Sequence, residues 1–246
     1  MVHRAWLGIA GGVALLASGA LSTQVHAAPL FTVTGQLTGD PRTANPDGLI
    51  VDVSVVVDAA TQNRATWTVN INSPLHPNVR LDNFAWNLLN TGNKYSPANV
   101  GFQNVSPSGW VGQFSSPGNN VPGSGNMDFL WVADANNANN VNNNVTNSVN
   151  LVFDMVLTSG NFLLSDFTNA PSSSGAGGAL TGQMGAHLIS LTVNSNTCPG
   201  GGCSDSGFAT GNYSSPTIPV PEPATLALLG AGLLGLGLAR RARRKA

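Results

Sequence analysis

The chain has 246 residues, only 9% of them charged, and a formal net charge of −1. That excludes a coiled coil, a helical bundle laced with surface ion pairs, and a basic nucleic-acid binder. The near-neutral total conceals an asymmetry: residues 28–219 hold four basic residues against ten Asp and no Glu, whereas five of the last seven residues are Arg or Lys.

Residues 1–27 have the three parts of a secretory signal peptide. Arg4 supplies the charged start, Ala5 to Leu21 the apolar stretch, and Val25 and Ala27 the small residues at positions −3 and −1. Cleavage is expected after Ala27, because a cut after Ala28 would place Pro29 just past the scissile bond. A signal peptidase and the secretion translocon are then the first partners.

Residues 28–195 show repeated alternation of apolar and polar side chains. Val51, Val53, Val55 and Val57 face one way, opposite Asp52, Ser54 and Asp58. Trp67, Val69 and Ile71 repeat the pattern. So do Phe84, Trp86 and Leu88, then Met127, Phe129 and Trp131, then Leu151, Phe153, Met155 and Leu157. A period of two marks strands with one buried and one wet face. Clusters such as Asn45-Pro46-Asp47-Gly48 and Ser116-Pro117-Gly118 lie between them and supply turns. No helical stripe stands out. The spacing predicts nine or ten short strands in one all-β domain, an antiparallel β-sandwich or jelly roll. Trp67, Trp86, Phe129, Trp131 and Phe153 are expected in its core; a sugar-binding platform would need several of them exposed together.

Two stretches read as loops, the Asn-rich Asp134–Asn150 and the Gly/Ser-rich Pro171–Gly182. Residues 196–219 are polar and turn-rich, and read as a tether. Within them Cys198 and Cys203 are the only cysteines. In an oxidising exported context a local disulfide is expected, with a metal site as the rival reading. A catalytic role for His187, on a predicted last strand Ala186–Asn194, would need a nucleophile and an orienting acid such as Asp154, Asp166 or Asp205. No nucleophile motif accompanies it, so no catalytic residue and no metal ligand is assigned. The ten Asp suit calcium in an exported protein, Asp128 and Asp134 being suggestive, yet no EF-hand-type loop is present. No cofactor is expected, calcium being the one candidate.

The C-terminus opens with Val220-Pro221-Glu222-Pro223, continues with a sixteen-residue apolar span, Ala224–Ala239, interrupted only by Thr225, and ends in Arg240, Arg241, Arg243, Arg244 and Lys245. Sixteen residues in a helix reach about 24 Å, short of the ~30 Å hydrocarbon core but able to span it if the flanks snorkel. One transmembrane helix is therefore expected, with the basic cluster acting as a cytoplasmic stop-transfer signal and the body outside. The ordered triplet of Pro-Glu-Pro, apolar span and Arg-rich end resembles the PEP-CTERM sorting signal of Gram-negative bacteria. That resemblance covers residues 220–246. It implies recognition of Pro221, Glu222 and Pro223 by a membrane-embedded exosortase, after a stay in the inner membrane. Proteins with such tails go to the cell surface or extracellular matrix, commonly in makers of exopolysaccharide. The expectation is a non-enzymatic surface or matrix protein associated with exopolysaccharide or biofilm. The alternatives are a carbohydrate- or calcium-binding module and, behind it, a secreted hydrolase.

Overall fold

The structure is a computed structural model that describes residues 29–39, 45–121, 125–133, 144–173, 181–214 and the single positions 216 and 233. Ten strands follow in chain order: β1 (Pro29–Gly39), β2 (Ile50–Asp58), β3 (Arg64–Ile71), β4 (Arg80–Trp86), β5 (Val100–Ser106), β6 (Trp110–Val121), β7 (Gly125–Ala133), β8 (Leu151–Leu157), β9 (Met184–Ile189) and β10 (Gly207–Gly211). Among the described residues one short α-helix, α1 (Leu164–Thr168), lies between β8 and β9. The all-β antiparallel class is as the alternation implied.

All ten strands form a single sheet in the order β5-β8-β3-β2-β1-β10-β9-β4-β7-β6, antiparallel throughout. The sheet coils until its two edges approach. Phe102 of β5 lies over Gly112 of β6, where a Cβ would stand 2.6 Å from the ring, and its centroid is 4.9 Å from that of Trp131 in β7. Any side chain at position 112 would require the Phe102 ring to move off this seam. The two layers expected of a sandwich are thus two halves of one curled sheet, close to a barrel.

The register explains the core. Val33, Val55, Trp67 and Phe153 are direct neighbours across β1, β2, β3 and β8. On the other half Ala186, Phe84 and Trp131 form the matching row across β9, β4 and β7. The halves meet through rings: Trp67 lies 4.9 Å from Trp86 and 6.2 Å from Phe84. Trp67, Trp86, Phe129, Trp131 and Phe153 are all buried, so none is available as an exposed sugar platform.

The reading of 196–219 as a tether needs correcting. Gly207–Gly211 is β10, seated between β1 and β9 with Ala209 fully buried. Leu191, Thr197 and Cys198 are also buried against the body, where Asp47 N–H donates to Thr197 O at 2.7 Å. The folded unit therefore runs at least to Ser214. A fragment ending at residue 195 would leave the β1 and β9 edges unpaired over this stretch. The predicted last strand Ala186–Asn194 is also too long at its C-terminal side, since β9 ends at Ile189 and Ser190 turns away with φ +59°. Part of the Asn-rich stretch is structural: the Asn147 side chain accepts from Ser73 N–H and donates to His76 O. Residues 134–143 and 174–180 lie outside the described residues.

The two barrel ends are closed differently. At the end where β1 starts, α1 forms a plug: Phe167 packs against Phe31 at 5.8 Å and Tyr213 at 5.6 Å. At the other end the fully buried His76 joins two loops. Its Nδ1 accepts from Thr192 N–H at 3.1 Å, so the ring proton sits on Nε2 and donates to Asp47 O at 2.8 Å.

Candidate functional sites

Two buried carboxylates hold the fold together. Asp166, 4% exposed, accepts hydrogen bonds from the Lys94 ammonium, the Tyr95 hydroxyl at 2.9 Å and Leu163 N–H at 2.7 Å. Leu163 precedes α1, so the last bond is the helix-start half of a capping box. Asp154 on β8 accepts from Thr66 Oγ1 and Asn104 Nδ2, both at 2.7 Å, and has Arg64 at 3.5 Å. Asn104 reaches it from a left-handed conformation, φ +52°, where the β5 ladder breaks register. Each carboxylate is committed to neighbours that fix a loop, a bulge or a helix end.

That commitment also governs the tyrosines. Burial pushes the Tyr95 hydroxyl far above the ordinary tyrosine range, and the charge of Asp166 beside it adds to the rise. Burial pushes Tyr213 well up too. The folded state holds both protons, whereas an unfolded tyrosine releases its proton near pH ~10. Stability is therefore full below about pH 10 and falls as pH rises above it, because there the unfolded chain binds fewer protons. These are the chain's two tyrosines. Tyrosinate absorbance should stay flat through pH 10 and rise only together with loss of β circular dichroism; an ordinary titration with the fold intact would contradict the burial.

His187 projects from β9 beside β10 and β4. Its Nδ1 is 2.8 Å from Asp82 Oδ2, and Phe208 stacks on its ring at 4.6 Å and 18°. The partner acid is thus Asp82, not Asp154, Asp166 or Asp205. Asp82 sits where the β4–β9 register shifts between Leu81 and Asn83, and that bulge re-aims its side chain. The pair resembles the His–acid half of a hydrolytic triad, but the residues facing it across the ladders are Asn83 and Phe208, neither a nucleophile.

Among the described residues no group of three His, Cys, Asp or Glu side chains is placed to hold a metal ion. Asp134 lies outside the described residues. Asp128 is partly buried on β7, which raises its carboxyl above the usual range, and its own N–H donates to Asn87 Oδ1. Cys198 and Cys203 are bonded to each other, their Cα atoms 6.0 Å apart.

The outer face of β1, β2 and β3 forms an open groove of about 550 Å³. Thr34, Gln36, Asp52, Ser54, Thr68 and Asn70 line it, with no aromatic side chain among the described residues. Gln36 Nε2 and Asn72 Nδ2 both donate to Asp52, at 2.8 and 3.1 Å. Ser214 borders the same groove. Its N–H donates to Thr34 O at 2.7 Å, and Gly35 pairs with Tyr213 as an isolated antiparallel bridge. The chain is thus still clamped to β1 five residues before position 219.

Residues 219–244 match the PEP-CTERM protein-sorting motif. The chain carries a PEP-CTERM sorting signal. Such a signal supports an exported protein that is sorted by an exosortase and passes through a membrane-anchored precursor. No curated protein and no solved structure matches the chain, and no other family model is assigned to the body. Val220–Pro223, the span Ala224–Ala239 apart from Leu233, the basic residues Arg240–Lys245 and the cleavage site at Ala27 and Ala28 lie outside the described residues. Among the described residues, no helix is long and apolar enough to cross a membrane.

Proposed function

We propose that this is a non-enzymatic cell-surface or extracellular-matrix protein that associates with exopolysaccharide. It is exported by its signal peptide, cut after Ala27, and held in the inner membrane by Ala224–Ala239 until an exosortase acts at Val220–Pro223. The observation that carries the reading is the PEP-CTERM match at 219–244, at the end opposite a signal-peptide pattern. What supports a non-catalytic body is how its polar groups are used. Asp154, Asp166 and His76 each tie separate segments together, and the disulfide braces a loop. The reading assigns the protein no cofactor.

A second reading, a carbohydrate-binding module, draws support from the groove over β1–β3, whose hydroxyl, amide and carboxylate groups suit sugar hydroxyls. Pull-down of the barrel with the host's polysaccharide distinguishes the two, a saturable interaction lost in Asp52→Ala favouring the module.

The sorting role is tested by changing Pro221, Glu222 and Pro223 together to Ala. They follow the last described β1 contact at Ser214, so the barrel's melting temperature should be unaltered. In the native host the full-length precursor should accumulate in the inner-membrane fraction. Normal delivery of the triple variant to the surface would make Ala224–Ala246 a permanent anchor and end the sorting proposal.

A further inference from the structure

The start of β1 lies at the end of the barrel toward which the chain is heading at Ser214, and that end exposes apolar side chains. Among the described residues, Leu30, Leu163, Leu164 and the buried Phe31 and Phe162 line a groove of about 300 Å³, with Gln62 the one polar side chain in it. Leu163 is 56% exposed and Leu30 37%. Single exposed leucines are ordinary; here two share a groove with the half-buried Leu164, so together they offer a small continuous apolar contact.

The signal segment ends at position 27 or 28, immediately before Pro29 opens β1 at this end. The other terminus arrives from the opposite direction. Thr38 pairs with Thr210 and Gly35 with Tyr213, so the chain runs antiparallel to β1 and is heading toward Pro29 when it reaches Ser214. From Thr34 to Pro29 is about 17 Å at ~3.3 Å per residue. The ten steps from Ser214 to Ala224 reach at most about 35 Å. The apolar span therefore begins no more than about 18 Å beyond the groove. The far end also exposes Leu75, Val149 and Val193, but neither Pro29 nor Ser214 lies there.

We propose that the Leu30–Leu163–Leu164 end of the barrel is a membrane-contact surface, seated in the phospholipid interface while the precursor awaits processing. This rests on the reading of the tail as a membrane anchor. Among the described residues the lining carries no charge, which suits a surface entering the headgroup–acyl boundary. The short link from Ser214 holds that end near the bilayer, so even a weak apolar contact is populated through high effective concentration. Contact would also order the barrel over the sorting motif and present Val220–Pro223 at a fixed height above the membrane.

The test uses full-length precursor from a host without exosortase, in vesicles of phosphatidylethanolamine and phosphatidylglycerol. A nitroxide is attached at Leu163→Cys or, for comparison, at the similarly exposed far-end Leu75→Cys; Leu30→Cys repeats the measurement on a different element. The ratio of oxygen to nickel-chelate collision rates should be severalfold higher at 163 and 30 than at 75. Water-like ratios at all three positions, with the precursor still sedimenting with the vesicles, overturn the contact surface and leave the anchor standing. Precursor that does not sediment overturns both. Dipolar broadening between labels at 163 without lipid depth would mean that a second copy occupies the surface, which also overturns the proposal.

Discussion

Trp67→Ala should destabilise the barrel by about 3–5 kcal/mol, the range for removing a large aromatic from a packed core. Trp67 is fully buried and central to the contact between the two halves of the sheet. Its ring stacks on Phe153 at 5.7 Å and 8°, and lies within 6.3 Å of Phe84, Trp86, Phe167 and Tyr213. Removing it opens a hole bordered by β3, β4, β8, α1 and the segment after β10 at once, so no single element can move in to fill it. The indole N–H has no hydrogen-bond partner among the described residues. Trp67→Phe therefore loses contact area but also an unpaired buried donor, and should cost clearly less than the alanine. Denaturant midpoints of the mature chain ending before position 219 check both. A loss under about 1 kcal/mol for Trp67→Ala would mean that the ring does not join the halves.

That core was legible because its signal is local. Val51 to Val57 and Trp67 to Ile71 alternate without interruption, and a period of two assigns each side chain to a face before any partner is known. The sorting tail was legible for a similar reason, since Pro221, Glu222, Pro223 and the following span are contiguous. What escaped was short or depended on distant partners. β10 is Gly207-Phe208-Ala209-Thr210-Gly211, with a glycine at each end and one large apolar side chain, so nothing in it alternates strongly. Its identity as a strand comes from the slot between β1 and β9. There Gly211 is obligatory, because a Cβ would collide with the Gln36 carbonyl oxygen. α1 has five residues, too few to display a stripe. The pairing of His187 with Asp82 spans 105 positions and depends on a bulge, which no spacing in the chain announces. Of the three aspartates expected for that role, Asp154 and Asp166 are occupied elsewhere.

One of those two, Asp166, carries the second large effect. Its carboxylate gathers the Lys94 ammonium, the Tyr95 hydroxyl and the Leu163 N–H at one point beneath the plugged end of the barrel. The side chains of Asp166 and Lys94 are only 5% and 17% exposed, so solvent screens the pair weakly. Asp166→Ala removes one member of a buried ion pair and strands both the ammonium and a buried hydroxyl. The expected loss is about 3–5 kcal/mol. Lys94→Met should cost less, because Tyr95 and Leu163 still donate to the remaining carboxylate. The double variant Lys94→Met/Asp166→Leu leaves no stranded charge and should be more stable than the two single losses summed. Strict additivity in that cycle would show that the two charges are not coupled. The same cluster positions Leu163, whose N–H it anchors, so Asp166→Ala should also loosen the apolar end where β1 starts. A nitroxide at Leu163→Cys should then show greater mobility in the Asp166→Ala background, while one at Leu75→Cys should not change.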